Sequence, residues 1–167
     1  MAILSYSEID NACISVIDNG NKYGFNYGDL FQNFYNIGCR LNELLDRSRW
    51  EFVSLTELTL QPQKGNNLRT IQSSQLTSLF YDYLLNGASY YSSINTTRLT
   101  YHYKKFIDIY PLFVGDKRVD INLFRHRFIK KLDIDGYSQA KIQTIMGYTN
   151  PATQYNYINS NISTITM

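Results

Sequence analysis

The stretch WEFVSLTELTLQPQKGNNLRTIQ, residues 50–72, is where the hydrophobic pattern of this chain changes its period. Apolar and polar residues alternate within 50–60, as they do in half-buried strands. KGNN, residues 64–67, has the glycine and asparagines typical of a tight turn, and LRTIQ, residues 68–72, then predicts a returning strand. We therefore predict a small antiparallel sheet of three strands with Lys64 at the tip of a hairpin.

On both sides of this stretch, apolar residues recur at the spacing of a helix. EIDNACISVID (8–18) predicts a helix with Ser7 as its N-cap, and DNGNKYG (18–24) predicts its end. Further helices are predicted over residues 29–38, 39–46, 73–85, 94–110, 120–133, 138–146 and 150–161. The expected architecture is a mainly helical α+β fold in one domain, carrying the small antiparallel three-stranded sheet.

Composition agrees with a folded globular protein. The 167 residues are 44% apolar and 15% aromatic, which is enough for a well-packed core. The net charge of +2 permits a polyanionic partner without requiring one. Cys13 and Cys39 lack the spacing of metal ligands and are predicted to be small buried residues. Neither a membrane-spanning apolar run nor a secretory leader is recognised, so we expect a cytoplasmic protein.

Several charged residues occupy positions that need an explanation. Arg125 lies beside an apolar stripe of the helix INLFRHRFIKKL (121–132), so its guanidinium should be shielded and should need an anionic partner. Arg40 begins a helix and precedes Glu43 by three residues, which allows the two side chains to pair. Taken singly, Arg40 at a helix end and Lys64 in a turn are ordinary solvated charges.

Taken in order, four segments resemble the catalytic domain of the tyrosine recombinases, the phage-integrase family. NIGCRLNELLD (36–46) resembles the segment with the first catalytic arginine, and LTLQPQKGNNLRTI (58–71) resembles the hairpin with the catalytic lysine. NLFRHRFIKKL (122–132) is similar to the segment with the second arginine, and DGYSQAKIQTIMGYTNPATQYNYI (135–158) to the closing segment with the nucleophile. The resemblance covers about residues 4–160.

The resemblance implies a role for each matching residue. Arg40 and Arg125 would bind the scissile phosphate, Lys64 would protonate the leaving oxygen, and Tyr157, nine residues after Tyr148, would be the nucleophile. The supporting residues would be Glu43, the acid that assists the first arginine, and His126, which follows the second. The remaining basic residues expected on DNA are Lys104, Lys105 and Arg127, with Arg127 facing solvent or the DNA backbone.

Two positions depart from the family's pattern. Asn122 falls where the family usually has histidine, and Tyr148 falls where it has histidine or tryptophan. Both side chains can donate a hydrogen bond to a phosphate oxygen, but neither is a cationic acid at neutral pH. Three interpretations therefore remain: a recombinase or integrase that forms a 3′-phosphotyrosyl intermediate, a weakened or inactive DNA-binding protein on the same fold, and a type IB topoisomerase-like strand passer.

The resemblance also implies partners and context. Double-stranded DNA would be the substrate, and copies of the chain would assemble as a tetramer on it, in the cytoplasm of a cell that hosts a virus or mobile element. No cofactor or metal is expected, because the only histidines are His102 and His126 and the acids are scattered. We expect one catalytic domain in residues 1–167, with a tail at 161–167, and no N-terminal core-binding domain.

Overall fold

The computed structural model describes residues 4–23, 27–62, 67–87, 91, 94–108, 112–114 and 116–148. Its helices are α1 (Tyr6–Tyr23), α2 (Tyr27–Ile37), α3 (Leu41–Leu45), α4 (Ser78–Asn86), α5 (Thr96–Ile107), α6 (Leu123–Ile134) and α7 (Gln139–Met146). Its strands are β1 (Trp50–Phe52), β2 (Glu57–Leu60), β3 (Arg69–Gln72), β4 (Phe113–Val114) and β5 (Lys117–Arg118). The prediction of a mainly helical α+β fold is confirmed. None of the helices in these ranges has the length and apolarity needed to cross a membrane.

The predicted antiparallel sheet is also confirmed. Its strand order is β1-β2-β3, and Leu58 pairs with Ile71 while Leu60 pairs with Arg69 across the β2–β3 ladder. Because side chains alternate along a strand, these four residues lie on one face, and that face is buried. Strands β4 and β5 form a second, two-stranded hairpin between α5 and α6.

Helix α2 lies at the centre of the helical core, between α1, α5 and α6. Phe31 of α2 stacks on Phe124 of α6, with ring centroids 5.8 Å apart, and meets Phe106 of α5 edge-on at 6.0 Å. Offset and edge-to-face contacts are the favoured arrangements of aromatic rings, and large buried rings dominate the energy of a core. Helices α1 and α2 therefore cover one side of α6, the helix that carries the arginine-rich segment.

Helix α1 ends at Tyr23, inside the stretch 18–24 that the sequence predicts as its end, but it extends past the predicted helix of residues 8–18. Gly20 lies inside it where α2 crosses so closely that a Cβ on Gly20 would stand 2.7 Å from the backbone nitrogen of Gly28. Asn19 remains helical and donates a side-chain hydrogen bond of 2.8 Å to the carbonyl oxygen of Ser15. The Asn-Gly pair therefore marks a close helix–helix contact instead of a turn.

Side-chain caps fix two of the helix starts. Ser5, and not the predicted Ser7, caps α1: its hydroxyl accepts a hydrogen bond from the backbone nitrogen of Glu8 at 3.2 Å. Ser138 caps α7, with its hydroxyl accepting a hydrogen bond from the backbone nitrogen of Lys141 at 3.1 Å. The helix predicted over residues 150–161 lies outside the described residues.

Candidate active site

The site is built around the turn that follows α2. Gly38 has a φ of 61°, a left-handed conformation that glycine adopts readily, and a Cβ there would stand 2.6 Å from the side chain of Phe128. This turn leads through Cys39 to Arg40, which is the N-cap of α3. The carbonyl oxygen of Gly38 accepts a hydrogen bond of 2.8 Å from Nη1 of Arg125. The segment with the first arginine therefore contacts the side chain of the second.

Glu43 connects the two arginines from inside α3. Its Oε1 accepts a hydrogen bond of 2.8 Å from the backbone nitrogen of Arg40 and lies 3.9 Å from Nη1 of Arg125. The indole of Trp50 donates to the Glu43 carbonyl oxygen at 2.9 Å, so the sheet supports this turn of the helix. Glu43 is 1% exposed, which makes it a buried counter-charge beside the Arg125 guanidinium.

Arg125 is bound by Tyr148 as well. The Tyr148 hydroxyl accepts hydrogen bonds from Nε of Arg125 at 3.0 Å and from Nη2 at 2.6 Å. The predicted shielding of Arg125 is correct, since it is 2% exposed. Because a guanidinium has donors only, the phenolic hydrogen of Tyr148 must point away from Arg125. Tyr148 thus holds the plane of the guanidinium with its hydroxyl oxygen.

A third arginine, which the sequence did not predict as a site residue, lies beside this pair. Arg69 of β3 is 1% exposed and donates from Nη2 to the carbonyl oxygen of Ile37 at 2.6 Å and from Nε to that of Ile145 at 3.1 Å. Burial, and next the charge of Arg125, lower the pKa of Arg69 to about 10, so it stays protonated at neutral pH. A signal was present in the sequence: Arg69 is two residues before Ile71, on the buried face of an alternating strand.

Positive charge therefore dominates the pocket. Burial raises the pKa of the Tyr148 phenol, so the hydroxyl keeps its proton at neutral pH. The guanidiniums of Arg125, Arg40 and Arg69 act on that pKa in the opposite direction. Three cations beside the Glu43 carboxylate form an environment suited to an anion such as a phosphate.

Asn122 and His126 occupy neighbouring positions on the segment with the second arginine. Asn122 precedes α6 and is half-buried, with its backbone nitrogen donating to the carboxylate of Asp120 at 2.9 Å. It lies one helical turn before Arg125, and its carbonyl oxygen accepts from the backbone nitrogen of His126 at 3.0 Å. His126 is fully buried. These positions are compatible with the expected roles, which stay predictions.

The prediction that Arg127 faces solvent or the DNA backbone is wrong, because its side chain lies inside the protein. Arg127 is 8% exposed, and its Nε forms an ion pair of 3.0 Å with Asp10 of α1. Its Nη1 donates to the carbonyl oxygen of Tyr35 at 3.0 Å, and its guanidinium lies 3.5 Å from the centroid of the Tyr35 ring. Because α6 packs against both α1 and α2, this face of the helix is inside the protein. Arg127 joins three helices on the side of α6 turned away from Tyr148.

The two lysines of α5 lie in different surroundings. Lys104 is exposed and borders a shallow cavity of about 440 Å³ that it shares with Asn42 of α3 and Thr97 of α5. Lys105 is also exposed, but its ammonium lies 4.8 Å from the centroid of the Tyr23 ring of α1. Lys104 therefore faces the helix that begins at the first arginine, while Lys105 faces the end of α1.

Lys64 and Tyr157 lie outside the described residues, so the structure does not place them. The described segments nearest to these two residues are joined to each other by one backbone hydrogen bond. The backbone nitrogen of Asn67 donates to the carbonyl oxygen of Gly147 at 2.8 Å, which joins the returning side of the hairpin to the turn before Tyr148. A Cβ on Gly147 would stand 2.4 Å from the carbonyl oxygen of Asn67, so this contact needs a glycine. Within the described ranges, no group of histidine, cysteine and acidic residues could hold a metal ion.

Comparison with known proteins supports the fold. No protein-family model matches the chain, and no curated protein matches it. Among solved structures, the crystal structure of XerA recombinase superposes with a TM-score of 0.61 over 98% of this chain, at 18% sequence identity. This chain spans 60% of the length of that protein. At this identity the likeness establishes a recombinase-like fold.

Proposed function

We propose that this chain is the catalytic part of a DNA strand transferase of the tyrosine-recombinase type. The observation that carries the proposal is the pocket in which Arg125 is held by Tyr148, the Gly38 carbonyl and Glu43, next to the turn that bears Arg40. The recombinase-like fold supports it. The chain spans 60% of the length of the XerA recombinase. The strand-transfer activity of a complete recombinase is therefore proposed for this chain and does not follow from the likeness.

In the proposed reaction, the phenolate oxygen of Tyr157 attacks the phosphorus of a DNA phosphodiester and forms a 3′-phosphotyrosyl bond. The bond from phosphorus to the 5′ oxygen breaks, and Lys64 gives that oxygen a proton. A 5′-hydroxyl of a second strand then attacks the phosphotyrosyl group and gives its proton to the neutral Lys64 amine, while the bond from phosphorus to the Tyr157 oxygen breaks and Tyr157 leaves as the phenolate. One phosphate ester replaces another in each step, so no energy cofactor enters the balance.

The roles of the remaining residues follow from the charge that develops on the phosphate. The guanidiniums of Arg40 and Arg125 stabilise the non-bridging oxygens, and removal of one such donor typically slows a reaction by about 10²–10³. In the proposal, the Tyr148 hydroxyl donates a hydrogen bond to a phosphate oxygen. Asn122, one turn before Arg125, donates to the same phosphate. Duplex DNA is thus the proposed partner, with tetramer assembly on the DNA.

A second candidate function is DNA binding without strand transfer. It is favoured by Asn122 and Tyr148, since neither side chain is a cationic acid. A topoisomerase-like activity would share the covalent step and would relax supercoils without exchanging strands. Formation of a covalent protein–DNA adduct distinguishes strand transfer from DNA binding alone. A relaxation assay on supercoiled plasmid identifies the topoisomerase-like activity.

The test uses a duplex with a nick near the cleavage point, so that the short fragment with the free 5′-hydroxyl diffuses away and the adduct is trapped. We expect the chain to form a band that survives denaturing electrophoresis, and Tyr157→Phe to abolish it while the DNA dissociation constant changes less than about threefold, because only the nucleophile is removed. Tyr155→Phe is the matched control and should leave the adduct in place. Adduct loss in Tyr155→Phe alone would move the nucleophile by two residues, and the absence of an adduct from the unmodified chain would favour the binding protein.

A further inference from the structure

Arg69 is a buried cation that the proposed reaction does not use. Its guanidinium binds the carbonyl oxygens of Ile37 and Ile145, and it lies 5.9 Å from the centroid of the Phe128 ring. Buried arginines normally bind a carboxylate, because an uncompensated charge in the interior is costly. The two hydrogen-bond acceptors that the structure gives Arg69 are backbone carbonyls from two separate helices.

The positions of those carbonyls explain how the charge is stabilised. Ile37 is the last residue of α2, and Ile145 is the second-last residue of α7. The last carbonyls of a helix lack partners within the helix and carry partial negative charge, which favours a cation at this end. Arg69 therefore joins the C-terminal ends of α2 and α7 through one rigid, planar group.

Both helix ends lead directly into the candidate active site. After Ile37 come Gly38, whose carbonyl binds Arg125, and then Arg40. After Ile145 the chain passes through Gly147 to Tyr148, whose hydroxyl binds Arg125 from the other side. The Arg69 guanidinium therefore bridges the two segments that hold the Arg125 guanidinium.

The strand that carries Arg69 belongs to the hairpin of the proposed general acid. Two residues before Arg69, the backbone of Asn67 is bound to the carbonyl of Gly147. One side chain and one backbone contact thus connect the returning arm of the Lys64 hairpin with the ends of α2 and α7. Strand cleavage requires these three segments to hold the arginines, the lysine and the tyrosine in fixed relative positions.

We propose that Arg69 is a positioning residue that sets the spacing between the Gly38–Arg40 turn and the Gly147–Tyr148 turn, and so aligns the anion pocket for strand cleavage. The inference rests on the proposed function, and it goes further by giving a role to a residue that does not touch the scissile phosphate. A residue that only stabilises the fold would change how much protein is active. A positioning residue also changes how fast each active molecule reacts.

Single-turnover cleavage of the nicked duplex measures these two effects separately. The amplitude of adduct formation reports the active fraction, and the rate constant reports alignment in the active molecules. We expect Arg69→Met to lower the rate constant at least about thirtyfold, with a DNA dissociation constant within about threefold of the unmodified chain. Arg127→Met is the matched control, because it removes another buried arginine of the same core, and its rate constant should stay within about twofold. Equal rate constants in the two variants would overturn the inference.

A second variant keeps the test decisive if Arg69→Met fails to fold. Arg69→Lys keeps the positive charge but replaces the planar fork with a single ammonium, which cannot hold two carbonyls in one fixed plane. We expect it to retain most of the amplitude and to lose about tenfold in rate constant. A rate constant equal to that of the unmodified chain would contradict a positioning role.

The outcome also distinguishes this inference from the proposed function. If the unmodified chain forms no adduct, the proposed strand transfer has failed, and inorganic phosphate becomes the probe of the pocket. At constant ionic strength, about 10 mM phosphate should then raise the melting temperature of the unmodified chain and of Arg127→Met, but not of Arg69→Lys. An equal rise in all three proteins would show that Arg69 does not align an anion pocket.

Discussion

At the scale of single residues, the Tyr148 hydroxyl combines two properties in the pocket. Its hydroxyl accepts two hydrogen bonds from Arg125, which fixes the guanidinium. Burial is the largest cause of the raised pKa of the phenol, so the same hydroxyl stays neutral at pH 7. A neutral donor can stabilise charge on a phosphate, although it cannot supply a full positive charge.

We expect Tyr148→Phe to slow adduct formation by about 10–100-fold, because it removes one donor to the phosphate and the acceptor that orients Arg125. The DNA dissociation constant should change less than about threefold. Single-turnover rates on the nicked duplex provide the measurement, with Tyr137→Phe as control, since Tyr137 is an exposed tyrosine in the turn before α7. An unchanged rate constant in Tyr148→Phe would remove Tyr148 from the proposed catalytic set.

At the scale of secondary-structure elements, α5 presents its two lysines to different neighbours. Lys104 borders the cavity next to α3, which begins at Arg40, whereas the Lys105 ammonium lies over the Tyr23 ring of α1. The two lysines adjoin in sequence, so a pattern of charges could not separate them. A difference of one residue is about 100° around a helix, and that rotation places Lys104 beside α3 and Lys105 beside α1.

We expect Lys104→Ala to weaken binding to duplex DNA and to reduce the slope of log affinity against log salt by about 0.9, the value for one phosphate contact. Lys105→Ala, the matched control, should leave the slope within experimental error. Fluorescence anisotropy titrations between about 50 and 200 mM salt measure both. If Lys105→Ala changed the slope more than Lys104→Ala, the DNA would have to cross the other side of α5.

At the scale of the whole molecule, α6 has two buried sides, and each side carries a different arginine. One side directs Arg125 to the turn after α2 and to Tyr148, and the other directs Arg127 to Asp10 and Tyr35. The Asp10 carboxylate also accepts a hydrogen bond of 2.8 Å from the Tyr35 hydroxyl, and burial is the largest cause of the raised pKa of Tyr35. This cluster connects α1, α2 and α6, so it stabilises the scaffold that supports the pocket.

We expect Arg127→Met to lower the free energy of unfolding by about 2–4 kcal/mol, because it leaves a partly buried Asp10 without its cation. Urea unfolding at pH 7 measures the change. Lys131→Met is the control on the same helix: Lys131 pairs with Asp135 at 2.8 Å on the surface, where ion pairs contribute little, and its urea midpoint should hardly move. A loss in Arg127→Met no greater than in Lys131→Met would mean that the Asp10 cluster does not support the core.

Much of this protein was accessible from the sequence by itself, because periodicity and turn chemistry act over a few residues. The alternation in residues 50–72 determined the sheet, the helical spacing of apolar residues determined most of the helices, and the stripe beside Arg125 determined its burial. Only the tertiary structure decided the rest. The sequence around Gly20 predicts a helix end, but this glycine lies inside α1 at the close crossing with α2. Arg127 is predicted to be solvated, but α1 and α2 enclose it. The sequence indicates no role for Arg69, whereas the structure shows the ends of α2 and α7 meeting at its guanidinium. The reason is that packing, and not the neighbours in the chain, determines which distant segments a side chain contacts.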